Sequence, residues 1–312
     1  MILILSEKFD IPTQNIISIL KQKNVKYEII YGSDLLENPF FINIKNSSVN
    51  FNNKKYDNIK IVWYRRWINS NFKFSEECDE NIYLKNEFEE LSSNFMLNIK
   101  TDKWLNIPPY IMPYPTKAKQ LYIANKIGLK IPETIITNDL YKVKHFYNTK
   151  NKKIISKNLS NPLFFIKKNE FYGTYTTSVY ERDLENIEKI FFPSIFQNNI
   201  SKIIEIRAFY FLKKFYCYAI FSSNNKKTNT DYRLYDFEIP NRIMKFNLPK
   251  NIEIKIIKFM EFFDLHTGSI DLIYDGKNYF FLEVNPQGQF GGMSDYGLYI
   301  EQDIVDYLIK NS

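Results

Sequence analysis

Apolar residues in this chain fall into short blocks whose spacing alternates between that of strands and that of helices. The first block, "ILILS", reads as a buried strand, and it is followed by Pro12 and by apolar residues at helical spacing, Ile16, Ile19 and Leu20. A second strand-like block, "VKYEIIYG", ends at Gly32. Strand, helix and strand in this order predict a βαβ unit, so the chain opens with an α/β domain.

The first third of the chain continues with a hairpin-like stretch, "FINIKNSSVNFNNKKY". A further strand, "NIKIVWYRRW", then ends in Arg65 and Arg66. Helical spacing of apolar residues predicts a helix over residues 80 to 100. Four prolines occupy "NIPPYIMPYPTK", residues 106 to 117, which makes this segment the best candidate for a linker.

The middle of the chain predicts one helix followed by short strands. The helix in "TKAKQLYIANKIGLK" ends at Gly128, and a strand begins after Pro132. The blocks "KIIS", "FFIKK" and "YTTSV" are expected to form one small sheet, ahead of a helix at residues 182 to 191.

The last third predicts long antiparallel strands between two helices. The block "KIIEIRAFYFLKKFYCYAIFS" reads as two strands that turn at Lys213 and Lys214, and "LPKNIEIKIIKFMEFF" reads as a helix. The block "SIDLIYDGKNYFFLEVN" predicts a hairpin turned by Asp275 and Gly276, and "LYIEQDIVDYLIK" predicts a closing helix.

Composition narrows the class of protein and its cellular setting. Apolar residues make up 45% and charged residues 25%, as in globular proteins. The net charge of +7 would suit an anionic partner, but the lysines are scattered, which favours a general compositional bias over a nucleic-acid surface. Cys78 and Cys217 show no metal-ligand spacing. With no apolar run long enough for a membrane helix, these features predict a soluble cytoplasmic protein that binds neither nucleic acid nor membrane.

The hairpin near the C-terminus carries the most informative polar residues. In "FLEVN", Glu283 and Asn285 point to the same face of the strand because side chains alternate. Asp271, on the paired strand, can reach the same place. Carboxylate and amide oxygens suit Mg²⁺, which keeps its other positions for water and phosphate. An acid and an amide at a strand end are also common without a metal, so this motif alone is weak.

Basic residues upstream strengthen the interpretation of this hairpin as a Mg²⁺ site. Lys117 opens a helix, Lys157 ends a strand, and Arg207 and Arg233 follow along the chain. Each lysine alone is typical of a solvated surface residue in so lysine-rich a chain. Together with acids that can hold a metal, the ordered set predicts an anionic nucleotide held from several sides.

The order of these residues resembles that of the ATP-grasp ligases. Besides Lys117 and Lys157, the resemblance is carried by "FFPSIFQNNISKIIEIR", "GSIDLI" and "FLEVNPQGQF". Within that superfamily the chain is similar to peptide maturases of the microviridin and graspetide kind, and most of all to the maturase of grasp-with-spasm systems. The stretches "VWYRRW" and "LEVNPQGQF" are the most specific, and the resemblance spans most of residues 1 to 312.

The resemblance implies an α/β (α+β) ATP-grasp fold in three parts. A pre-ATP-grasp N-terminal domain is expected at residues 1–108, a central ATP-grasp subdomain at 109–196, and a C-terminal subdomain with the metal site at 197–312. The nucleotide would be held between two small antiparallel-sheet subdomains.

The residues that match the family's motifs share one implied task, which is to hold ATP, Mg²⁺ and the transferred phosphate. The resemblance assigns the ATP phosphates to Lys117 and Lys157, adenine to the hinge from Gln197 to Ile200, ribose to Glu205, Mg²⁺ to Asp271, Glu283 and Asn285, the transferred phosphate to Arg207, and the phosphate and acyl acceptor to Asp231 and Arg233 of "TDYR". The loop "NEFYGTYTTS" departs from the glycine-rich phosphate loop of most ATP-grasp enzymes. It holds only Gly173, helped by the hydroxyls of Thr174, Thr176 and Thr177.

The implied activity is ATP-dependent ligation within a precursor peptide that has a leader and a core rich in Thr, Ser, Asp and Glu. An Asp or Glu side chain would become an acyl phosphate, and a Ser or Thr hydroxyl or a Lys amine would displace the phosphate, giving an ester or amide macrocycle and ADP. Arg65 and Arg66 would grip acidic residues of the core, although pairing with surface acids is an equal alternative. A homodimer and a SPASM-domain partner protein are both compatible with the resemblance.

Two other functions remain open from the sequence. An ATP-grasp ligase that adds free amino acids to a small molecule or a protein tail, as glutamate-adding enzymes do, would share every ATP-binding residue. A non-catalytic basic protein that binds nucleic acid would instead need none of the metal ligands.

Overall fold

The structure, a computed structural model, divides the chain into two compact units. It describes residues 1–67, 79–160, 164–167, 170–223, 225, 228, 230–232, 234, 236 and 238–312. The first unit comprises Met1–Tyr114, Asp264–Gly268 and Pro286–Ser312, and the second comprises Pro115–Phe263 and Ser269–Asn285. The expected three-part division at residues 108 and 196 stays a prediction. No helix among these described residues is long and apolar enough to span a membrane.

The first unit opens with the predicted βαβ arrangement. Its elements up to residue 114 are β1 (Ile2–Ser6), α1 (Ile11–Gln22), β2 (Tyr27–Tyr31), α2 (Asp34–Glu37), β3 (Phe40–Asn43), β4 (Ser48–Phe51), β5 (Lys54–Lys55), β6 (Ile61–Tyr64), α3 (Asp79–Leu97) and β7 (Trp104–Leu105). Parallel pairing gives a four-stranded sheet in the order β2-β1-β6-β7, and β3, β4 and β5 form the predicted hairpin region. Asp10 begins α1 by accepting the backbone N–H of Thr13 at 3.0 Å.

The second unit contains most of the antiparallel structure. Its elements are α4 (Lys117–Ile127), β8 (Thr134–Asp139), α5 (Leu140–Thr149), β9 (Ile154–Lys157), β10 (Phe164–Lys167), β11 (Glu170–Gly173), β12 (Thr177–Val179), α6 (Glu181–Glu185), β13 (Ile190–Asn198), β14 (Ile204–Phe211), β15 (Lys214–Phe221), β16 (Arg242–Phe246), α7 (Lys250–Phe262), β17 (Thr267–Tyr274) and β18 (Tyr279–Asn285). One sheet has the order β12-β9-β13-β8, and the other has the order β16-β15-β14-β17-β18.

The chain ends with a 3-10 turn (Met293–Tyr296) and α8 (Ile300–Lys310), both of which belong to the first unit. Helix α8 packs against α1. The sequence predicted this closing helix but gave no indication that it joins the N-terminal sheet domain, since the contact spans nearly the whole chain.

Two sequence expectations for the middle of the chain are wrong. The helix expected at residues 182 to 191 ends at Glu185, and residues from Ile190 onwards form β13. Strand pairing decides this, because β13 lies between β8 and β9 and bonds to both. The strand in "FFIKK" pairs with β11 in a separate hairpin, whereas those in "KIIS" and "YTTSV" share a sheet as predicted.

The predicted turns are confirmed where backbone conformation demands them. Gly128 ends α4 with φ +87°, in the left-handed region that glycine adopts without strain. Gly276, in the turn of the β17–β18 hairpin, has φ +99°. The β14–β15 hairpin turns at Leu212 and Lys213 rather than at Lys213 and Lys214, a shift of one residue.

The core of the first unit allows a direct stability test. Phe95 is fully buried, stacks on Trp67 with ring centroids 6.0 Å apart, and meets Phe51 edge-on. We expect Phe95→Ala to lower the free energy of unfolding by about 3–5 kcal/mol, because it leaves a cavity. Urea unfolding followed by tryptophan fluorescence measures this unit selectively, since all three tryptophans lie in it.

The matched control is Phe9→Ala, because Phe9 is 86% exposed. That change should alter the free energy of unfolding by no more than about 0.5 kcal/mol. Equal losses from the two variants would contradict the placement of Phe95 in the core.

Candidate nucleotide and metal site

A cleft of about 880 Å³, counted with its solvent-open mouth, lies in the second unit. Most of the residues to which the sequence assigned nucleotide or metal binding line it: Lys117, Lys157, Gln197, Ile200, Glu205, Asp231, Asp271 and Glu283. Residues scattered over more than 160 positions of sequence are thus brought to one place.

The acidic pair of this cleft comes from adjacent strands. Asp271 on β17 and Glu283 on β18 are direct cross-strand partners, which puts their Cβ atoms about 4.5–5.5 Å apart. The register then shifts, because Leu272 pairs with Phe281 and leaves Leu282 as an extra residue. This bulge explains why the neighbouring residues Leu282 and Glu283 both line the cleft instead of alternating between faces.

Each carboxylate of the pair faces a cation. Lys117 Nζ lies 3.4 Å from Glu283 Oε2, and an Arg207 Nη1 lies 3.9 Å from Asp271 Oδ1. The side chains of all four residues are largely buried, so solvent screens these pairs only partly. Each carboxylate of the pair thus has one opposite charge within 4 Å.

Arg207 is held in its charged form by its surroundings. Burial alone would lower the pKa of its guanidinium, but Asp271 together with Tyr232 and Tyr218 raises that pKa above its ordinary value. The guanidinium also donates to the Tyr232 hydroxyl. Burial raises the pKa of Tyr232, so this hydroxyl stays protonated near neutral pH. The result is a fixed positive charge beside the acidic pair.

The donor set fits a hard divalent cation that arrives with phosphate. Asp271 and Glu283 supply carboxylate oxygens from one side, and Mg²⁺ usually keeps several positions for water and phosphate. Among the described residues, no three or more His, Cys, Asp or Glu side chains cluster to hold a metal by themselves. Asn285 lies exposed at the end of β18 opposite Ser269, outside the described lining of the cleft. Its role as a ligand stays a prediction.

The two lysines occupy element ends. Lys117 is the first residue of α4, and Thr116 caps that helix by accepting the backbone N–H of Lys119. Its ammonium donates to the carbonyls of Asn158 and Ser160 at 3.1 and 2.9 Å, just beyond the end of β9. Lys157 is the last residue of β9 and lines the cleft. Lys117 and Lys157 therefore line the same cleft.

The short loop after Gly173 is held by residues that line the cleft. The backbone N–H of Thr176 donates to the buried Asp231 carboxylate at 3.1 Å. Asn158 Nδ2 donates to the Thr174 hydroxyl at 2.5 Å and to its carbonyl at 3.3 Å. The sequence assigned the Thr174 hydroxyl to phosphate, and the structure shows it bonded to Asn158. Asp231 thus anchors this loop in addition to lining the cleft.

Gln197, Ile200 and Glu205 also line the cleft. Gln197 is buried on β13, and its amide donates to the Thr134 hydroxyl at 2.8 Å. The backbone N–H groups of Asn198 and Asn199 are also bonded, to the carbonyls of Glu133 and Lys153, each at 2.9 Å. The assignment of adenine to residues 197 to 200 stays a prediction.

Glu205 is held in place by two buried neighbours that the sequence reasoning missed. Lys202 Nζ and the Ser222 hydroxyl both donate to Glu205 Oε1, each at 2.6 Å. The side chains of Lys202 and Glu205 are 7% and 12% exposed. Lys202 stands three residues before Glu205 in "SKIIE", but nothing in the sequence distinguishes it from the many surface lysines.

Arg65 lies in the first unit and is almost fully buried there. Its Nη atoms donate to the Gln287 carbonyl at 2.6 Å and to the Gln289 side chain at 3.0 Å, and its Nε lies 3.3 Å from Asp10 Oδ2. Burial lowers the pKa of Arg65 to about 10. The acid beside Arg65 is thus buried rather than a surface acid, and the Arg65 contacts hold the loop that follows β18 in the chain. Contact of Arg65 with an acidic peptide stays a prediction.

Arg66 is more accessible than its neighbour. Its side chain is 23% exposed, and its guanidinium donates to Glu7 at 3.0 Å. Contact with an acidic peptide stays a prediction for Arg66. Arg233, assigned to the phosphate and acyl acceptor, lies outside the described residues.

Comparison with solved structures identifies the fold. No family model and no curated protein matches the chain. A RiPP-associated ATP-grasp ligase from Chryseobacterium gregarium, in complex with ADP and a leader and core peptide, is 25% identical with a TM-score of 0.84, covering 100% of this chain and 97% of that one. The macrocyclase MdnC from Microcystis aeruginosa MRC, bound with precursor peptide MdnA, is 24% identical with a TM-score of 0.83, and both chains are covered completely.

A third structure adds the metal. The ATP-grasp ligase PsnB, complexed with a phosphomimetic variant of its minimal precursor, Mg and ADP, is 17% identical with a TM-score of 0.79 over 99% of this chain and 98% of that one. The predicted α/β ATP-grasp fold and the resemblance to ATP-grasp peptide maturases are therefore confirmed.

The Lys202–Glu205 pair can be tested by a double-mutant cycle. Lys202→Met should lower the free energy of unfolding by about 3–5 kcal/mol, because it leaves the Glu205 carboxylate buried with only Ser222 as a partner. Lys202→Met combined with Glu205→Gln should recover much of that loss, since no buried charge remains. Calorimetric unfolding of these two variants and of Glu205→Gln alone measures the coupling between the two side chains. Strictly additive losses of unfolding free energy would contradict that coupling.

Proposed function

We propose that this chain is an ADP-forming ATP-grasp ligase that joins Asp or Glu side chains of a ribosomally made precursor peptide to Ser or Thr hydroxyls, or to Lys amines, as macrocyclic esters or amides. The observation that carries the proposal is the Asp271–Glu283 pair, which lines one cleft together with Lys117 and Lys157. Lys117 faces Glu283, and Arg207 faces Asp271. The relatives with the same fold were solved with ADP, Mg and precursor, leader or core peptides.

The site residues divide into groups with separate tasks. In this proposal Lys117 and Lys157 bind the ATP phosphates, the segment from Gln197 to Ile200 receives adenine through its backbone, and Glu205 accepts the ribose hydroxyls. Cations at the phosphates favour transfer because they stabilise charge that spreads over the transferred group.

The acidic pair and Arg207 serve the reacting centre. Asp271 and Glu283, with Asn285, would hold Mg²⁺, which neutralises phosphate charge when bound. In this proposal Arg207, which stays protonated and faces Asp271, binds the γ-phosphoryl group as a peptide carboxylate attacks it. A hydroxyl or amine of the same peptide then attacks the acyl carbon, so that the ester or amide bond forms and inorganic phosphate leaves. Low water access protects that intermediate from hydrolysis.

The partner follows from the same relatives. We infer a precursor peptide with a leader and a core that supplies carboxylates together with hydroxyls or amines. In this proposal Arg66 contacts acidic residues of the core. Asp231 and Arg233, which belong to one motif, contact the acyl acceptor. A homodimer and a SPASM-domain partner protein stay predictions.

A mass measurement tests the reaction. The protein is incubated with ATP, Mg²⁺ and the short peptide encoded beside its gene. Each bond formed should lower the peptide mass by one water and release one ADP, because a macrocycle is an internal condensation. A gain in mass would instead support the ligase that adds free amino acids. Polynucleotide binding that weakens steeply with salt and survives Asp271→Ala, without nucleotide turnover, would support the nucleic-acid alternative.

Two substitutions test the assigned roles. Arg207→Lys should lower the rate of ADP release by roughly 10²–10³-fold, because a point charge replaces a planar donor aimed at the transferred phosphate. Glu283→Gln should abolish the stimulation of nucleotide binding by Mg²⁺. Glu261→Gln, a surface change in the same unit, is the control and should alter neither quantity. An unchanged rate in Arg207→Lys would remove Arg207 from the reacting centre.

A further inference from the structure

Gln120 makes an unusual set of hydrogen bonds in the second unit. Its Nε2 donates to the carbonyl of Val284 at 3.1 Å and to that of Pro115 at 2.9 Å. Its Oε1 accepts the backbone N–H of Val284 at 2.8 Å. The residue is 4% exposed, so these bonds form away from water. Both donors and the acceptor of the amide are thus engaged with backbone groups.

The pair of bonds to Val284 completes the edge of a sheet. Strand β18 is the last strand of the five-stranded sheet, and Val284 pairs with Ile270 on β17. In an antiparallel pair, the N–H and C=O of one residue point to the same side. The Gln120 amide bonds to the N–H and C=O of Val284 in the way that a peptide unit of a neighbouring strand would. The Lys130 carbonyl accepts the backbone N–H of Phe281 at 2.8 Å on the same outer edge. Gln120 fixes the end of that edge beside Glu283 and Asn285.

The position of Val284 gives this bond a functional meaning. Val284 lies between Glu283 and Asn285, the two β18 residues assigned to the metal. Gln120 stands three residues after Lys117, so it shares a face of α4 with that lysine. The same helix that carries a phosphate-binding lysine is thus bonded to the backbone of the metal-binding strand.

We propose that Gln120 is a positioning residue that sets the distance between Lys117 and the metal ligands of β18. This inference rests on the proposed function, and it assigns a task to a residue that touches neither ATP nor metal. The observed distance of 3.4 Å between Lys117 Nζ and Glu283 Oε2 is the spacing that the Gln120 bonds maintain. Residues that orient metal ligands without touching the metal typically change metal affinity by 10–100-fold when they are replaced.

The experiment compares two variants with the wild type. Gln120→Met keeps the length of the side chain and removes the amide. Gln120→Glu keeps an acceptor for the Val284 N–H but places a carboxylate oxygen against the carbonyls of Val284 and Pro115. Calorimetry measures ADP binding in the presence of a chelator and over a series of Mg²⁺ concentrations. Both variants should bind ADP normally without metal, and both should need roughly 10–100-fold more Mg²⁺ for half-maximal stimulation.

A second measurement is independent of nucleotide. Hydrogen exchange of the backbone amide of Val284 should be slow in the wild type and faster in Gln120→Met, because its acceptor is gone. If the wild type binds no ADP, the proposed function fails. Unchanged exchange of the Val284 amide in Gln120→Met would overturn the positioning role of Gln120, whatever the result for ADP.

The control distinguishes positioning from loss of stability. Leu121 is buried on the same helix, and Leu121→Ala should lower the melting temperature without changing the Mg²⁺ dependence. The inference is overturned if Leu121→Ala shifts the Mg²⁺ dependence as much as Gln120→Met does. It is also overturned if both Gln120 variants retain the wild-type Mg²⁺ dependence.

Discussion

The chemistry of the second unit depends on one cross-strand pair, Asp271 and Glu283. Two carboxylates about 5 Å apart at their Cβ atoms repel one another, and positive charge nearby offsets that repulsion. Lys117 and Arg207 provide it in the structure, one for each carboxylate. A divalent cation carrying phosphates would enter a site whose negative charges are already balanced.

The groups around this pair are placed by side chains that bond to backbone. Gln120 bonds to the strand that carries Glu283, Asp231 accepts the N–H of Thr176, and Asn158 bonds to Thr174. Such bonds fix the loop and the strand before any ligand arrives. A site for phosphoryl transfer gains from this, because most of its catalytic effect comes from correct position and from charges that need not reorganise.

The sequence predicted most of the elements and failed where long-range pairing decides. Alternation and helical spacing located the opening βαβ unit, helices α3, α4 and α7, and the hairpin turned at Gly276. The helix expected at 182 to 191 was too long, because residues from Ile190 form the central strand between β8 and β9. Local spacing carries no information about a partner strand that lies tens of residues away.

The sequence by itself determined which residues are available for chemistry. The acids of "SIDLI" and "FLEVN", the two lysines at element ends and the strand arginine all stand in the order typical of an ATP-grasp ligase. Only the tertiary structure decided how they are used. A shift in strand register puts Leu282 and Glu283 in the same cleft, and Arg65 is hydrogen-bonded inside the protein. Gln120 and Lys202, which look like many other side chains in the sequence, bond to Val284 and Glu205. The reason is physical: burial and hydrogen-bond geometry depend on neighbours in space, and the sequence specifies neighbours only along the chain.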